Sequence, residues 1–179
     1  MMSTTTHEEE LLKKLTAALV TNPRCTTKEL AEAAGISRAT LNRFCGSREK
    51  LMDMITKRAE NTLQEIIRIA CEPVTDYKMA LSRLLEAHYK DQEYLIFSCS
   101  VQNNLENLYW EPYLSSLDCF FLNGQKAGAF RLEYSNQMLA ELFIAMICGM
   151  VDAQNRGRVA AVGIESKMTA FFLNGAADE

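Results

Sequence analysis

Histidine is scarce in this chain: His7 and His88 are the two present in 179 residues, and that scarcity removes most imidazole-driven chemistry. A Ser/His/Asp or Cys/His arrangement needs a histidine placed in the interior, and His7 stands in a polar terminal run. No glycine-rich phosphate loop occurs among the eight glycines. No cluster of His, Cys, Asp and Glu at ligand spacing is present, so neither a metal nor a cofactor is expected, and the chain does not read as an enzyme. Six cysteines, at 25, 45, 71, 99, 119 and 148, form no C-x-x-C pair, which argues against a zinc site or a disulfide framework. Their apolar neighbours read as reduced thiols in a cytosol. The start, MMSTTTHEEE, is polar and acidic, the wrong flank for a secretory signal. The longest apolar run, LAELFIAMICGMV over 139–151, falls short of the roughly 20 residues a membrane span needs. Strand-like alternation, internal repeats and low-complexity linkers are missing too. What remains is an all-α protein of the cytoplasm.

The run over 26–51, TTKELAEAAGISRATLNRFCGSREKL, carries most of the information. Thr26 and Glu29 form a capping box that starts a helix. Leu30, Ala31 and Ala34 make its inward face, with Ala31 small enough for a second helix to cross closely. Gly35 supplies the left-handed turn, Ile36 plugs the corner, and Ser37 caps the next helix. Leu41 and Phe44 lie on the buried side of that helix. Arg38, Ala39, Thr40, Asn42 and Arg43 are left outward, donor-rich or small, as a major groove requires.

This segment resembles the DNA-binding domain of the TetR family of bacterial transcriptional regulators over roughly 8–58. In that family a run A-x-x-x-G-V-S-x-G-T-L-Y-x-H/Y-F-x-S-K-E-x-L spans the two helices and enters a fourth. Ala31, Gly35, Ile36, Ser37, Thr40, Leu41, Ser47, Glu49 and Leu51 fall on that pattern. Arg48 stands where the family usually has a phosphate-binding lysine. Asn42 replaces the common tyrosine and offers a bidentate partner for adenine. Cys45 replaces the common phenylalanine, with an aromatic one place earlier at Phe44. The resemblance implies a palindromic double-stranded DNA operator, a homodimer and a small-molecule effector, with repression as the output on the nucleoid. The implied DNA contacts are Thr27, Lys28, Ser37, Arg38, Ala39, Thr40, Asn42, Arg43, Arg48 and Lys50.

The net charge of −4 conceals an asymmetry that fits this reading. Arg24, Lys28, Arg38, Arg43, Arg48, Lys50, Lys57 and Arg58 face only Glu29, Glu32, Glu49 and Asp53 within 24–58. From residue 71 on, acidic residues outnumber basic ones, so one half attracts phosphate and the other repels it.

The expected organisation is a three-helix head over 1–50, a connecting helix over about 47–71, and a helical sensing and dimerisation domain over 51–179. Helices are expected over 8–20, 75–90, 91–102, 110–125, 135–155 and 163–173 as well. A largely apolar ligand would lie between helices of the second domain, with Met79, His88, Tyr94, Phe97, Cys99, Tyr109, Trp110, Tyr113 and Met146 as candidates. The run over 139–151 is apolar on every side except Glu141 and needs cover on every side. With the last helix it is read as half of a two-subunit four-helix bundle, using Leu142, Ala145, Met146, Gly149, Ala153, Met168, Phe171 and Phe172. Two alternatives stay open. One is a sensor of oxidants or electrophiles acting through Cys99 or Cys119, and the other is a DNA-bound module whose acidic half docks a protein.

Overall fold

The computed structural model describes residues 2–101 and 109–176, with side chains over 6–100 and 109–176. Its regular elements are the helices α1 (Met2–Thr21), α2 (Thr27–Ala33), α3 (Arg38–Cys45), α4 (Arg48–Ala70), α5 (Tyr77–Lys90), α6 (Gln92–Val101), α7 (Trp110–Lys126), α8 (Asn136–Asn155) and α9 (Ile164–Ala176). The all-α class expected from the sequence is therefore what forms. Most boundaries fall within a residue or two of their patterns. α1 starts six residues before the expected residue 8, and α9 ends three residues beyond the expected 173. α5 starts two residues later than expected because Asp76 is the stronger cap, its Oδ1 accepting from the Lys78 and Met79 amides at 2.9 and 3.0 Å. Gln102, the expected last residue of α6, lies outside the described residues.

The described chain divides into two compact units. The first runs to Thr62 and takes in α6 from Glu93; the second holds Leu63–Gln92 and the chain from Tyr109 onward. The boundary, expected at residue 50 near the start of α4, falls after Thr62 within the same helix, and α6 groups with the head. The reason is α6's apolar side, since Tyr94 and Phe97 are buried in one cluster with Leu11, Leu15, Leu30, Leu41, Leu51 and Ile55. A three-helix head of this size has little core of its own, and two more buried aromatics enlarge it.

The second unit is organised around rings. Phe121 lies 5.2 Å from Phe130, 6.0 Å from Phe143 and 5.8 Å from Phe172, drawing α7, α8, α9 and the turn after α7 together. Gly124 makes that turn possible: a Cβ there would collide with the Phe130 ring and come within 3.1 Å of Tyr77. α8 is 20 residues long and apolar enough, with a mean hydropathy of 1.3, to cross a bilayer by composition. Its Leu139, Phe143, Ile147 and Val151 are buried in this unit instead, so it is a core helix on that side. On its other side Leu142, Ala145 and Gly149 are exposed, so the cover that the sequence demands on every side is only half supplied by the described residues.

Candidate nucleic-acid interface

The head is assembled by three local devices. Thr26 Oγ1 accepts from the Glu29 amide at 3.3 Å, and the Glu29 carboxylate accepts from the Thr26 amide at 2.7 Å and its hydroxyl at 2.8 Å, closing the capping box. Those two donors hold the Glu29 carboxyl below its ordinary value. Gly35, at φ +70°, turns the chain so that the Ile36 amide reaches back to the Ala31 carbonyl at 2.9 Å. Ser37 then caps α3, its Oγ accepting from the Thr40 amide at 3.0 Å.

These devices leave a groove of about 470 Å³ bordered by Thr27 on α2, by Arg38, Ala39 and Asn42 on α3, and by Ser47 and Arg48 at the entry to α4. Arg38, Ala39, Asn42 and Arg43 are exposed, as are Thr27, Lys28 and Lys50. Ser37 and Thr40 sit differently. Their hydroxyls lie 2.9 Å apart within the α3 cap, so each already has a partner inside the head. Lys28 lies 3.8 Å from Glu32 with both side chains in solvent, a pair too exposed to withhold the ammonium from an anion.

Two arginines bond to groups of their own chain. Arg48, expected on a phosphate, is exposed, and its guanidinium forks onto the preceding turn: Nη1 donates to the Cys25 carbonyl at 2.7 Å and Nη2 to the Pro23 carbonyl at 2.8 Å. Arg58, counted with the phosphate-attracting charges, donates from Nε and Nη2 to the Glu9 carboxylate at 2.9 and 2.8 Å and lies 5.1 Å over the Tyr94 ring. Both serve the packing of the head. In Arg48 the signal was the residue type, since a fork of N–H donors suits two carbonyls where an ammonium does not. Nothing in the spacing announced Arg58.

The expected ligand residues do not gather in one place. Tyr94 and Phe97 are core of the head unit, Cys99 is half-buried on the same helix, and Met79 is 65% exposed. His88, Tyr113 and Trp110 do come together in the second unit. His88 Nδ1 is 2.6 Å from the Leu84 carbonyl, which can only accept, so Nδ1 carries the proton and Nε2 accepts from the Tyr113 hydroxyl at 3.0 Å. The Trp110 ring lies 5.2 Å from that of Tyr113. Tyr109 and Met146 are half-buried.

The expected dimer residues also divide. Leu142 at 47% exposure, Ala145, Gly149 and Phe171 at 77% face solvent, and Met146 is half-buried. Ala153, Met168 and Phe172 are core of the protomer, Phe172 lying between Phe121 and Phe143. The cause is helical pitch. Each four-residue step advances about 40° around the axis, so a line from Ala145 through Gly149 has turned inward by Ala153.

A three-helix head presenting the outer side of a capped recognition helix, carried on a chain with a second helical unit, defines a helix-turn-helix DNA-binding regulator. The comparisons agree. A family model described as winged helix-turn-helix DNA-binding matches residues 9–46, from within α1 to the end of α3. No wing follows here, because the chain passes straight into α4. The HTH-type transcriptional regulator NfxB of Pseudomonas aeruginosa is 40% identical over 183 residues, covering 99% of this chain and 98% of its own. Among solved structures, the ketosteroid transcriptional regulator KstR2 of Mycobacterium tuberculosis superposes with a TM-score of 0.70 at 16% identity, over 97% of this chain and 96% of its own. The TetR family transcriptional regulator PfmR of Thermus thermophilus does so at 0.62 and 21%, over 90% and 91%. The chain belongs to the HTH-type transcriptional regulators, and its fold is the one seen in structures of TetR-family regulators. It is a DNA-binding transcriptional regulator of the helix-turn-helix type.

Proposed function

We propose that the protein is a homodimeric repressor, acting on the nucleoid, that leaves a palindromic operator when a small, largely apolar or aromatic molecule enters its second unit. The observation that carries this reading is the pairing of two exposed surfaces of opposite chemistry. On the head, Arg38, Asn42 and Arg43 present donors on one helix face. Arg38 reads guanine through the O6/N7 edge and Asn42 reads adenine one helical turn on, while Thr27, Lys28, Arg43 and Lys50 hold phosphates. On α8 and α9, Leu142, Gly149 and Phe171 form an uncovered apolar face, and a second copy is its natural cover. A two-fold protein places two recognition helices about one duplex turn apart, which matches an inverted repeat. The ligand enters beside the His88, Tyr113 and Trp110 group and acts through α4, which has residues in both units. A change in the spacing of the heads then costs operator affinity, because the half-sites are fixed by the duplex.

Selection of duplexes from a random pool with the purified protein, followed by a footprint upstream of its own gene, tests this. The expected motif is an inverted repeat protected on one face of the duplex, bound by a species of twice the 20.2 kDa chain mass. A direct or single half-site, bound by a species near 20.2 kDa, overturns the palindromic dimer.

A further inference from the structure

The turn between α1 and α2 has to be held in place for α2 to face DNA in register with α3. Its capping box is local, since Thr26 and Glu29 exchange bonds with each other and fix where α2 begins, not where it points. Longer-range contacts supply the direction. The Cys25 side chain is 7% exposed in the head core, and Arg48 reaches the same turn from a point 23 to 25 residues on. Arg48 is the first residue of α4, directly behind the recognition helix.

We infer that Arg48 is a positioning residue for DNA binding: its guanidinium forks onto the Pro23 and Cys25 carbonyls and thereby sets the start of α2 against α3. This rests on the DNA-binding reading of the head and adds to it a residue that acts through others. Thr27 of α2 and Arg38 of α3 line one groove, and Arg48 belongs to the lining of that groove. Duplex DNA fixes the spacing of phosphates and base edges, so α2 and α3 meet it together only if their mutual geometry is kept. Two charge-assisted bonds of 2.7 and 2.8 Å from one rigid plane are suited to keeping it. A lysine supplies one flexible point charge, which binds a phosphate well and spans two carbonyls poorly.

The discriminating variant is therefore Arg48→Lys, beside Arg48→Ala. The free protein is followed by amide hydrogen exchange at Cys25, whose N–H bonds the Asn22 carbonyl at 3.1 Å, with Leu41 in α3 as reference. Binding is followed by salt titration on a duplex selected by the wild-type protein and on a random-sequence duplex. Both variants are expected to exchange about tenfold faster at Cys25 with Leu41 unchanged. Both are expected to bind the selected duplex about tenfold more weakly with an unaltered log–log salt slope. Wild-type affinity in Arg48→Lys, with a slope lower by about one unit in Arg48→Ala, identifies a phosphate contact and overturns the inference. So does unchanged exchange at Cys25, or faster exchange without weaker binding. The exchange measurement needs no DNA, so a failure of the clamp is separate from a failure of the operator reading, and if Arg48→Ala does not fold, Arg48→Lys decides alone.

Discussion

At His88 a titratable ring is fully enclosed, and burial pushes its imidazole down to about 4 from an ordinary 6.5. The folded state therefore favours the neutral ring, and the unfolded chain binds the proton more readily. Stability from this group is complete above pH 6.5 and is lost as pH falls from there toward about 4, amounting to about 3 kcal/mol over that window. Thermal melts of the wild type at pH 7 and pH 5 should diverge more than those of His88→Gln, and parallel curves would show that His88 does not carry the dependence. At the other site, Arg38→Ala should cost about 1–3 kcal/mol on the best operator and relax the preference at one base pair per half-site. Equal weakening on all sequences would make Arg38 a phosphate contact. The arginines of the head are thus of two kinds. Arg38 and Arg43 are exposed, whereas Arg48, exposed as well, and Arg58 bond to groups of their own chain.

Among the elements, the corner after α7 shows how a close approach constrains sequence. Phe130 is fully buried against Gly124, and the Phe120, Phe121 and Tyr77 rings stand 6.0, 5.2 and 6.1 Å from it. The ring has no free direction in which to retreat from an added methyl. Gly124→Ala should destabilise the second unit by about 1–3 kcal/mol, read as a lowered Tm with DNA contacts in the head intact. A melting curve identical to wild type would mean that the corner relaxes freely. α8 poses the opposite case. Its Gly149 is exposed with nothing within 4 Å of where a Cβ would stand, so a side chain there fits the protomer without strain.

For the whole molecule that open position makes a clean test of assembly. Gly149→Leu leaves the protomer core alone and thickens only the uncovered face. If two copies pack α8 and α9 against each other, overpacking costs roughly 1–3 kcal/mol per site and the two-fold axis applies it twice. Sedimentation should then show dissociation or aggregation at micromolar concentration together with loss of operator binding. A protein that is a monomer before and after the change, with a slightly altered Tm, would remove the dimer and the palindromic site with it.

The helix-turn-helix was legible because its determinants are local. A capping box, a left-handed glycine and a serine cap act over three or four residues, and their spacing alone dictates where α2 and α3 start and how they cross. The helical class and most boundaries followed from apolar periodicity for the same reason. Long-range choices were not legible. That α6 lends Tyr94 and Phe97 to the head, and that Ala153, Met168 and Phe172 turn into the protomer while Leu142, Gly149 and Phe171 turn out, depends on which apolar face meets which partner. Composition cannot rank those pairings. Nor could a count of positive charge tell Arg48 from Arg38, since whether a guanidinium meets a phosphate or a carbonyl of its own chain is decided only once the turn at Pro23–Cys25 has been folded against the start of α4.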